Sequence, residues 1–422
     1  MYRISQKTFS NKLRLVVVPD SKNPSVMCAV LVSAGSSYET QKQNGISHFL
    51  EHLCFKGTKK RPHAIDISSE LEGLGAHYNA FTERELTGYH AKAAAEHREK
   101  IAEIVADLYL HPIIDQKELE KEKGVIIEEI NMYEDQPRAK VEQIFEKALY
   151  GNQHAGRDIA GPKENILAMT KNDIHAYRDK YYHAATTTIV MTGNITPAQA
   201  EKEVKKLFGE LPRGKRIVMP KIVKNKQQKI AVVRRALDQA HIIVGAKAMT
   251  TNDSSQFAGM LMVDILGGGM SSRLFQTIRE KLGMAYYIRS SLDIWRTHGH
   301  VTISGGLSND RLGQGLAEIR KQIQLLIRDG ITEKELSRAK NHRIGSLLLS
   351  LETPSSLGFW YAGQMAATGK VYTPQQVVKK LRAVTVRDVN RLSKQLLTPD
   401  RWSLAVVGPH EDTKKIEKAL WG

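Results

Sequence analysis

Two histidines and a glutamate stand close together near residue 50, in the order His48, Glu51 and His52. On a helix, His48 and His52 project from one face with their Cβ atoms about 5–6 Å apart. Two imidazoles at that spacing can share one metal ion, because zinc binds histidine nitrogens at about 2.0–2.1 Å. Glu51 is offset from that pair, within reach of a water on the metal. This HxxEH pattern is the inverted zincin motif and predicts metal-assisted hydrolysis. The alternative is a surface helix that carries these residues by chance.

A catalytic zinc needs a third protein ligand and one open position. Glu122 and Glu129 are the candidates, because they lie seven residues apart on a predicted helix over residues 115–133 and share its face. A rotation of about 100° per residue places both in an apolar stripe with Val125, Ile126 and Tyr133. Burial of an unpaired carboxylate is costly, so we expect both glutamates to have partners.

The spacing of these residues resembles that of the M16 peptidases, the pitrilysin and insulinase group. In this sequence 76 residues separate His52 from Glu129, and Glu122 matches a further acidic position of the family. The segments GISH (45–48), FKGT (55–58), HYNAFT (77–82) and EEI (128–130) are also similar to the family. The resemblance covers essentially the whole chain, whose length is similar to the short, two-domain subfamily that contains mitochondrial processing peptidase and its bacterial relatives.

The resemblance implies a catalytic mechanism. His48, His52 and Glu129 would bind one zinc ion per chain, and Glu122 would orient a ligand histidine. Glu51 would take a proton from a zinc-bound water that attacks the peptide carbonyl, and would then pass that proton to the leaving amine. The expected activity is a zinc-dependent endopeptidase that hydrolyses unfolded peptides or small proteins in a chamber between two halves.

The resemblance also implies two substrate-binding segments. Residues 77–82 resemble the family's edge strand beside the zinc, where Asn79 and Ala80 would contact an extended peptide; the alternative is a plain hairpin strand. Residues 267–286 resemble the family's C-terminal substrate segment. There Arg279 would fix a substrate carbonyl or carboxylate and Tyr286 would donate to the developing oxyanion. The alternative for Arg279 is a solvated helix charge.

The elements that position these residues occur twice in the chain. Residues 13–20, 117–120 and 187–193 match residues 229–236, 334–337 and 402–408, at offsets of 215 to 217 positions. We therefore expect a catalytic domain over 1–211, a basic linker over 212–229 and a homologous, non-catalytic substrate-binding domain over 230–422. The order of predicted elements indicates α+β halves. The resemblance implies that each half is a mainly antiparallel sheet with helices on one side, and that the halves face each other as a clamshell.

The second half lacks the metal-binding residues of the first. At an offset of 217, Glu122 and Glu129 fall on Ala339 and Ser346, and residues 270–276, matched to the HxxEH helix, contain no histidine. The resemblance implies that the chain works in a pair, as a homodimer or as a heterodimer with an inactive homologue. A catalytically silent, peptide-binding subunit is the alternative function, and the complete metal set in the first half argues against it.

The net charge of the 422-residue chain is +17, and it is unevenly distributed. Residues 1–211 contain 28 basic and 29 acidic residues, whereas residues 212–422 contain 34 and 16. Seven of the basic residues lie in the linker, which has no acidic residue. Such a charge suggests nucleic-acid binding, but no RNP, helix-turn-helix or zinc-finger motif supports it, and we expect no nucleic-acid partner. The basic half is instead expected to steer acidic peptides or dock on an acidic partner.

Two further features bear on location. No stretch approaches 18 consecutive apolar residues, so we expect no membrane span. Cys28 and Cys54 lie in apolar runs and predict buried free thiols, which fit a reducing compartment. Because no apolar leader segment precedes the first predicted strand, we expect a cytoplasmic protein.

Overall fold

The structure is a computed structural model, and it describes residues 4–369 and 371–422. Its strands are β1 (Ser5–Thr8), β2 (Arg14–Pro19), β3 (Ser25–Val32), β4 (His77–Thr82), β5 (Thr87–Ala94), β6 (Thr187–Gly193), β7 (Ile230–Arg234), β8 (Gln239–Lys247), β9 (Ala285–Ile294), β10 (Gly299–Ser308) and β11 (Ser403–Gly408). Its helices are α1 (Ile46–Cys54), α2 (Ala64–Gly73), α3 (Arg98–Leu110), α4 (Gln116–Asp135), α5 (Pro137–Tyr150), α6 (Lys163–Ala168), α7 (Lys171–Tyr181), α8 (Pro197–Phe208), α9 (Gln256–Gly267), α10 (Leu312–Asp329), α11 (Glu333–Ser350), α12 (Pro354–Thr368), α13 (Pro374–Ala383), α14 (Val386–Leu396) and α15 (Thr413–Trp421).

The chain folds as two compact units, each assembled from separate segments. Unit 1 consists of Met1–Asn131, Asp158–Pro220 and Leu349–Tyr372, and unit 2 consists of Met132–Arg157, Lys221–Leu348 and Thr373–Gly422. These units differ from the division expected at residues 211 and 229. The segment with α5 belongs to unit 2, and the segment with α12 belongs to unit 1.

The sheet of unit 1 has the strand order β1-β2-β6-β3-β5-β4. β2 and β6 are parallel and the other neighbouring strands are antiparallel, so the predicted mainly antiparallel sheet is confirmed. β4 forms one edge, with Asn79 opposite His90 and Ala80 opposite Tyr89. The family resemblance implied an edge strand at residues 77–82, and β4 does lie at an edge.

Helices cover both faces of this sheet, whereas the family resemblance implied helices on one side only. Leu15 and Val17 of β2 pack into the main core with α1 and α3. The alternating residues Val16 and Val18 pack on the opposite face against Tyr361 of α12. The physical reason is that the central strands are apolar on both faces, as strands buried between two layers must be.

The sheet of unit 2 repeats this topology. Its order is β7-β11-β8-β10-β9, which corresponds strand for strand to β2-β6-β3-β5-β4, and β7 and β11 are again parallel. The predicted internal repeat and α+β class are therefore confirmed. Val141 and Phe145 of α5 pack with Ile243 of β8 and Val407 of β11. Each unit thus contains one helix from the sequence half that forms most of the other unit.

The counterpart of α1 in unit 2 is α9, which follows β8 as α1 follows β3. The match of residues 270–276 to the HxxEH helix is therefore wrong, because these residues come after α9 and run into a π-helix, Phe275–Lys281. α9 contains no histidine. Its Asp264 forms a bidentate ion pair with Arg343 of α11, at 2.6 and 2.8 Å, which joins the two helices.

Among the described residues, no helix has the length and hydropathy needed to span a bilayer. Cys28 and Cys54 are buried free thiols, as predicted. Burial raises the pKa of both thiols to about 12, so neither is a thiolate near neutral pH.

Candidate metal centre

The helix that carries the histidines, α1, begins directly after Gly45. Gly45 has a φ of 102°, and a Cβ there would lie 2.5 Å from the carbonyl oxygen of Ala160. Only glycine fits both the left-handed conformation and this close approach. The GISH segment therefore fixes the point at which the metal-motif helix starts.

A buried carboxylate, Glu39, holds the first turn of α1. Its Oε2 accepts the Gly45 N–H at 2.9 Å, and its Oε1 accepts the N–H and the hydroxyl of Ser47 at 2.9 and 2.6 Å. Burial raises the pKa of Glu39, although these hydrogen bonds partly counter it. A carboxylate is favourable here because the amino end of a helix is electropositive.

His48, His52 and Glu129 bring three possible metal donors together. The Nε2 atoms of the histidines are 3.2 Å apart, and Glu129 Oε2 lies 3.5 Å from His48 Nε2 and 3.4 Å from His52 Nε2. Tetrahedral zinc with bonds of about 2.0–2.1 Å needs donors about 3.3–3.4 Å apart. The three atoms fit one zinc ion. No other such group occurs in residues 4–369 or 371–422.

The two histidines have different proton affinities. Burial, together with the neighbouring His52, lowers the pKa of His48 to about 4, so its imidazole is neutral at pH 7. Burial also lowers the pKa of His52, but hydrogen bonds to Glu122 and Glu129 outweigh it and raise that pKa to about 9. A metal ion that binds here must therefore displace a proton from His52.

Glu122 contacts the far side of His52. It is buried, and its Oε1 accepts the Nδ1–H of His52 at 2.8 Å while its Oε2 lies 2.6 Å from Lys56 Nζ. Burial opposes ionisation of Glu122, but His52 and Lys56 hold its pKa below the ordinary value. This hydrogen bond occupies the Nδ1 of His52, so Nε2 is the ring nitrogen that belongs to the donor cluster.

The apolar stripe predicted around the two glutamates is only partly correct. Ile126 is buried, but Val125 is 50% exposed and Tyr133 is 38% exposed. Glu129 is half-buried rather than buried. The prediction fails at Val125, Glu129 and Tyr133 because an apolar pattern on α4 does not tell which part of a long helix is covered by other elements.

Glu51 lies outside the three-donor cluster and contacts β4. Its Oε2 accepts a hydrogen bond from the hydroxyl of Thr82, the last residue of β4. Burial raises the pKa of Glu51, although Thr82 and His52 partly counter it. On the same strand, Asn79 is exposed, Ala80 is half-buried, and the Ala80 N–H donates to Asn79 Oδ1 at 2.9 Å. The acid of the motif and the edge strand are therefore neighbours.

Arg279 and Tyr286 lie near each other in unit 2. The Arg279 guanidinium carbon is 4.7 Å from the ring centre of Phe275 and 6.0 Å from that of Tyr286. Arg279 is exposed and Tyr286 is 69% exposed. Arg279 belongs to the π-helix, an unusual turn that often occurs at functional sites.

The sequence is similar to known peptidases along most of its length. A family model described as insulinase, peptidase family M16, matches residues 14–163, and one described as peptidase M16 inactive domain matches residues 168–342. The chain belongs to the M16 peptidase family. The family predicted from the motif spacing is thus confirmed. The model described as inactive includes α9, the counterpart of the histidine helix.

Relatives of this M16 peptidase are similar over whole chains. It is 36% identical to an uncharacterized zinc protease of Bacillus subtilis, YmxG, over 96% of this chain and 98% of that protein. It is 31% identical to an uncharacterized zinc protease of Mycobacterium leprae, over 99% of this chain and 94% of that protein.

Two solved structures show the same fold. A protease from Helicobacter pylori has a TM-score of 0.88 at 22% identity, covering 97% of this chain and 100% of that one. A Pseudomonas fluorescens structure described as peptidase M16 inactive domain has a TM-score of 0.88 at 20% identity, covering 97% and 99%.

Proposed function

We propose that this M16 family member is a zinc-dependent endopeptidase that binds one zinc ion through His48, His52 and Glu129. The observation that carries the proposal is the spacing of the three donor atoms, 3.2 to 3.5 Å, which suits one tetrahedral zinc. The relatives named zinc proteases support the choice of metal.

Glu51 acts in this proposal as the general base and then as the general acid. A bound zinc supplies Lewis acidity and lowers the pKa of a coordinated water. Glu51 accepts the proton of the attacking water and delivers it to the nitrogen of the leaving amine. Thr82 donates to Oε2, so Oε1 remains to exchange the proton. The raised pKa of Glu51 suits a group that must both take and release a proton.

Glu122 acts as a positioning residue for His52. Its carboxylate fixes the imidazole through Nδ1 and is itself held by Lys56. A carboxylate in this position orients the ring and increases the basicity of the nitrogen that binds the metal.

We further propose that an extended substrate pairs with the free edge of β4, where Asn79 and Ala80 contact its main chain. Support comes from the edge position of β4 and from its contact with Glu51. Replacing Ala80 with proline removes a main-chain donor, so kcat/KM should fall about tenfold while zinc content is unchanged. Ala80→Ser, which keeps the N–H, is the matched control. Equal kcat/KM in the two variants would contradict the proposal that the substrate pairs with β4.

The remaining assignments rest on the family resemblance and stay proposals. Arg279 would bind a carbonyl or carboxylate of the substrate, and Tyr286 would donate to the developing oxyanion. A homodimer, or a heterodimer with an inactive homologue, remains our prediction for the assembly. A cytoplasmic location, suggested by the free thiols of Cys28 and Cys54, also remains a prediction.

The experiment is a search for internal cleavages in a diverse mixture of unstructured peptides by mass spectrometry. Zinc-loaded protein should produce fragments, chelation should stop their formation, and added zinc should restore it. A stably folded protein of similar size serves as the control and should stay intact. Zinc-loaded protein that cleaves nothing would favour the alternative, a catalytically silent peptide-binding subunit.

A further inference from the structure

A cavity of about 680 Å³ in unit 1 is lined by five basic side chains: Lys12, Arg14, Arg213, Lys215 and Arg216. The other lining residues carry no charge, and none of the lining residues belongs to the candidate metal centre. Arg213, Lys215 and Arg216 come from the basic linker. Lys12 lies in the turn before β2, and Arg14 is the first residue of β2. The fold therefore brings together charges that are some 200 positions apart in sequence.

Four of the five cations of this cavity have no carboxylate partner among the described residues. Within the part of the chain that the structure describes, Lys12, Arg213, Lys215 and Arg216 form no ion pair with a carboxylate. Arg14 donates to the carbonyl oxygen of Met365, in the last turn of α12, at 2.8 Å. The four cations without a carboxylate partner repel each other around one concave surface, and a bound anion relieves that repulsion.

The linker side of the cavity is fixed in place. The Ala185 N–H donates to the Arg213 carbonyl at 3.0 Å. Gly214 has a φ of 61°, and a Cβ there would lie 2.1 Å from the His183 ring. The chain at this position therefore needs glycine, and it packs directly on His183. The start of the linker is thus part of unit 1 and presents its basic residues from a fixed backbone.

The opposite side of the cavity is a tight turn. The Phe9 N–H donates to the Leu13 carbonyl at 2.8 Å, and the Leu13 N–H donates to Asn11 Oδ1 at 3.2 Å. Lys12, inside this turn, has a φ of 75°, a left-handed conformation that is uncommon for lysine. A strained lysine in an ordered turn fits a binding role better than a solvated surface role.

We propose that this cavity binds a small molecule that carries two or more linked phosphate groups. Guanidinium groups pair with phosphate in a bidentate way, and lysines add point charges. Near neutral pH a single phosphate has at most about two negative charges, fewer than the four cations that have no carboxylate partner. The volume lies within the range of about 300–1,000 Å³ for small-molecule sites. No lining residue is aromatic, so no base-stacking platform is present and the phosphates, rather than a nucleobase, are recognised.

The test is isothermal titration of the full chain with inorganic tripolyphosphate, ATP and GTP. Tripolyphosphate should bind once per chain, and ATP and GTP should bind with similar affinities. The variant Lys12→Asn/Lys215→Gln should bind tripolyphosphate about tenfold more weakly or worse, since it loses two charge-assisted contacts. Both side chains are exposed, and asparagine tolerates the left-handed turn at residue 12.

The matched control is Lys221→Gln/Lys224→Gln, which removes two exposed lysines of the same linker outside the cavity. It keeps the same metal donors, so any attraction of tripolyphosphate to zinc is equal in both variants. Retained affinity in this control, with loss in Lys12→Asn/Lys215→Gln, supports the site. Equal losses, or no binding by the unaltered protein, would overturn it. Lysine-dependent binding of a single-stranded RNA without binding of tripolyphosphate would also overturn it and indicate a nucleic-acid surface.

Discussion

At the scale of single residues, the carboxylate of Glu122 determines which nitrogen of His52 is available to a metal. Replacing Glu122 with glutamine removes the negative charge from a buried position between His52 and Lys56. We expect zinc affinity to fall about tenfold to hundredfold, the usual effect of losing such a partner. A chelator competition titration measures this, and Glu128→Gln, an exposed change on the same helix, should have no effect. Equal affinities in both variants would contradict the positioning role.

Zinc affinity should also depend on pH. The pKa of His52 is raised to about 9 and that of His48 is lowered to about 4, so between these values one proton, held by His52, competes with the metal. Raising the pH removes this competitor, so the apparent affinity should rise about tenfold per pH unit between pH 6 and 8 and level off above about 9. Competition titrations of chelator-stripped protein at several pH values test this. An affinity that does not change between pH 6 and 8 would refute it.

The residues of the site divide into those that spacing predicts and those that it does not. His48, Glu51, His52, Glu122 and Glu129 lie on two helices, and helical periodicity places them on defined faces. Glu39, Lys56 and Thr82 were missed, because each reaches the site from outside those two faces. Lys56 and Thr82 lie in two segments that are similar to the family, FKGT and HYNAFT. The residue types in these segments do not show which side chains Lys56 and Thr82 contact.

At the scale of secondary structure, the sequence predicted the strands better than it predicted which helices pack on them. The continuous apolar runs of β2 and β3 indicate burial, and the repeat gives both sheets the same order. Packing between distant segments determines which helix covers the second face of each sheet. The local sequence pattern does not contain this information. For this reason the positions of α5 and α12 were not foreseen.

The packing of α5 can be tested at Phe145, which is fully buried against β8 and β11. Phe145→Ala should lower the free energy of unfolding by about 3–5 kcal/mol, because it removes a large side chain and leaves a cavity. Urea unfolding measures the loss, and exposed Lys147→Ala on the same helix is the control. Zinc affinity should not change, since all three donors belong to unit 1. Equal unfolding midpoints for the two variants would contradict the packing.

At the scale of the whole molecule, the charge separates the two sequence halves. Residues 1–211 are nearly neutral, whereas the remainder carries the whole positive excess. If this charge steers acidic peptides, their kcat/KM should fall as salt rises from about 50 to 300 mM, because the Debye length shortens. Basic peptides of equal length should show a weaker or opposite trend. Identical salt responses for both peptides would exclude steering.

The central claim is that His48, His52 and Glu129 hold zinc while Glu51 moves the proton. The most direct test measures zinc content and hydrolysis of an unstructured peptide in the unaltered protein and in Glu51→Gln. Both proteins should contain about one zinc per chain, because Glu51 lies outside the donor cluster. Only the unaltered protein should cleave, with the variant slower by about a hundredfold or more. A zinc-loaded Glu51→Gln protein that cleaves at the normal rate would contradict the mechanism.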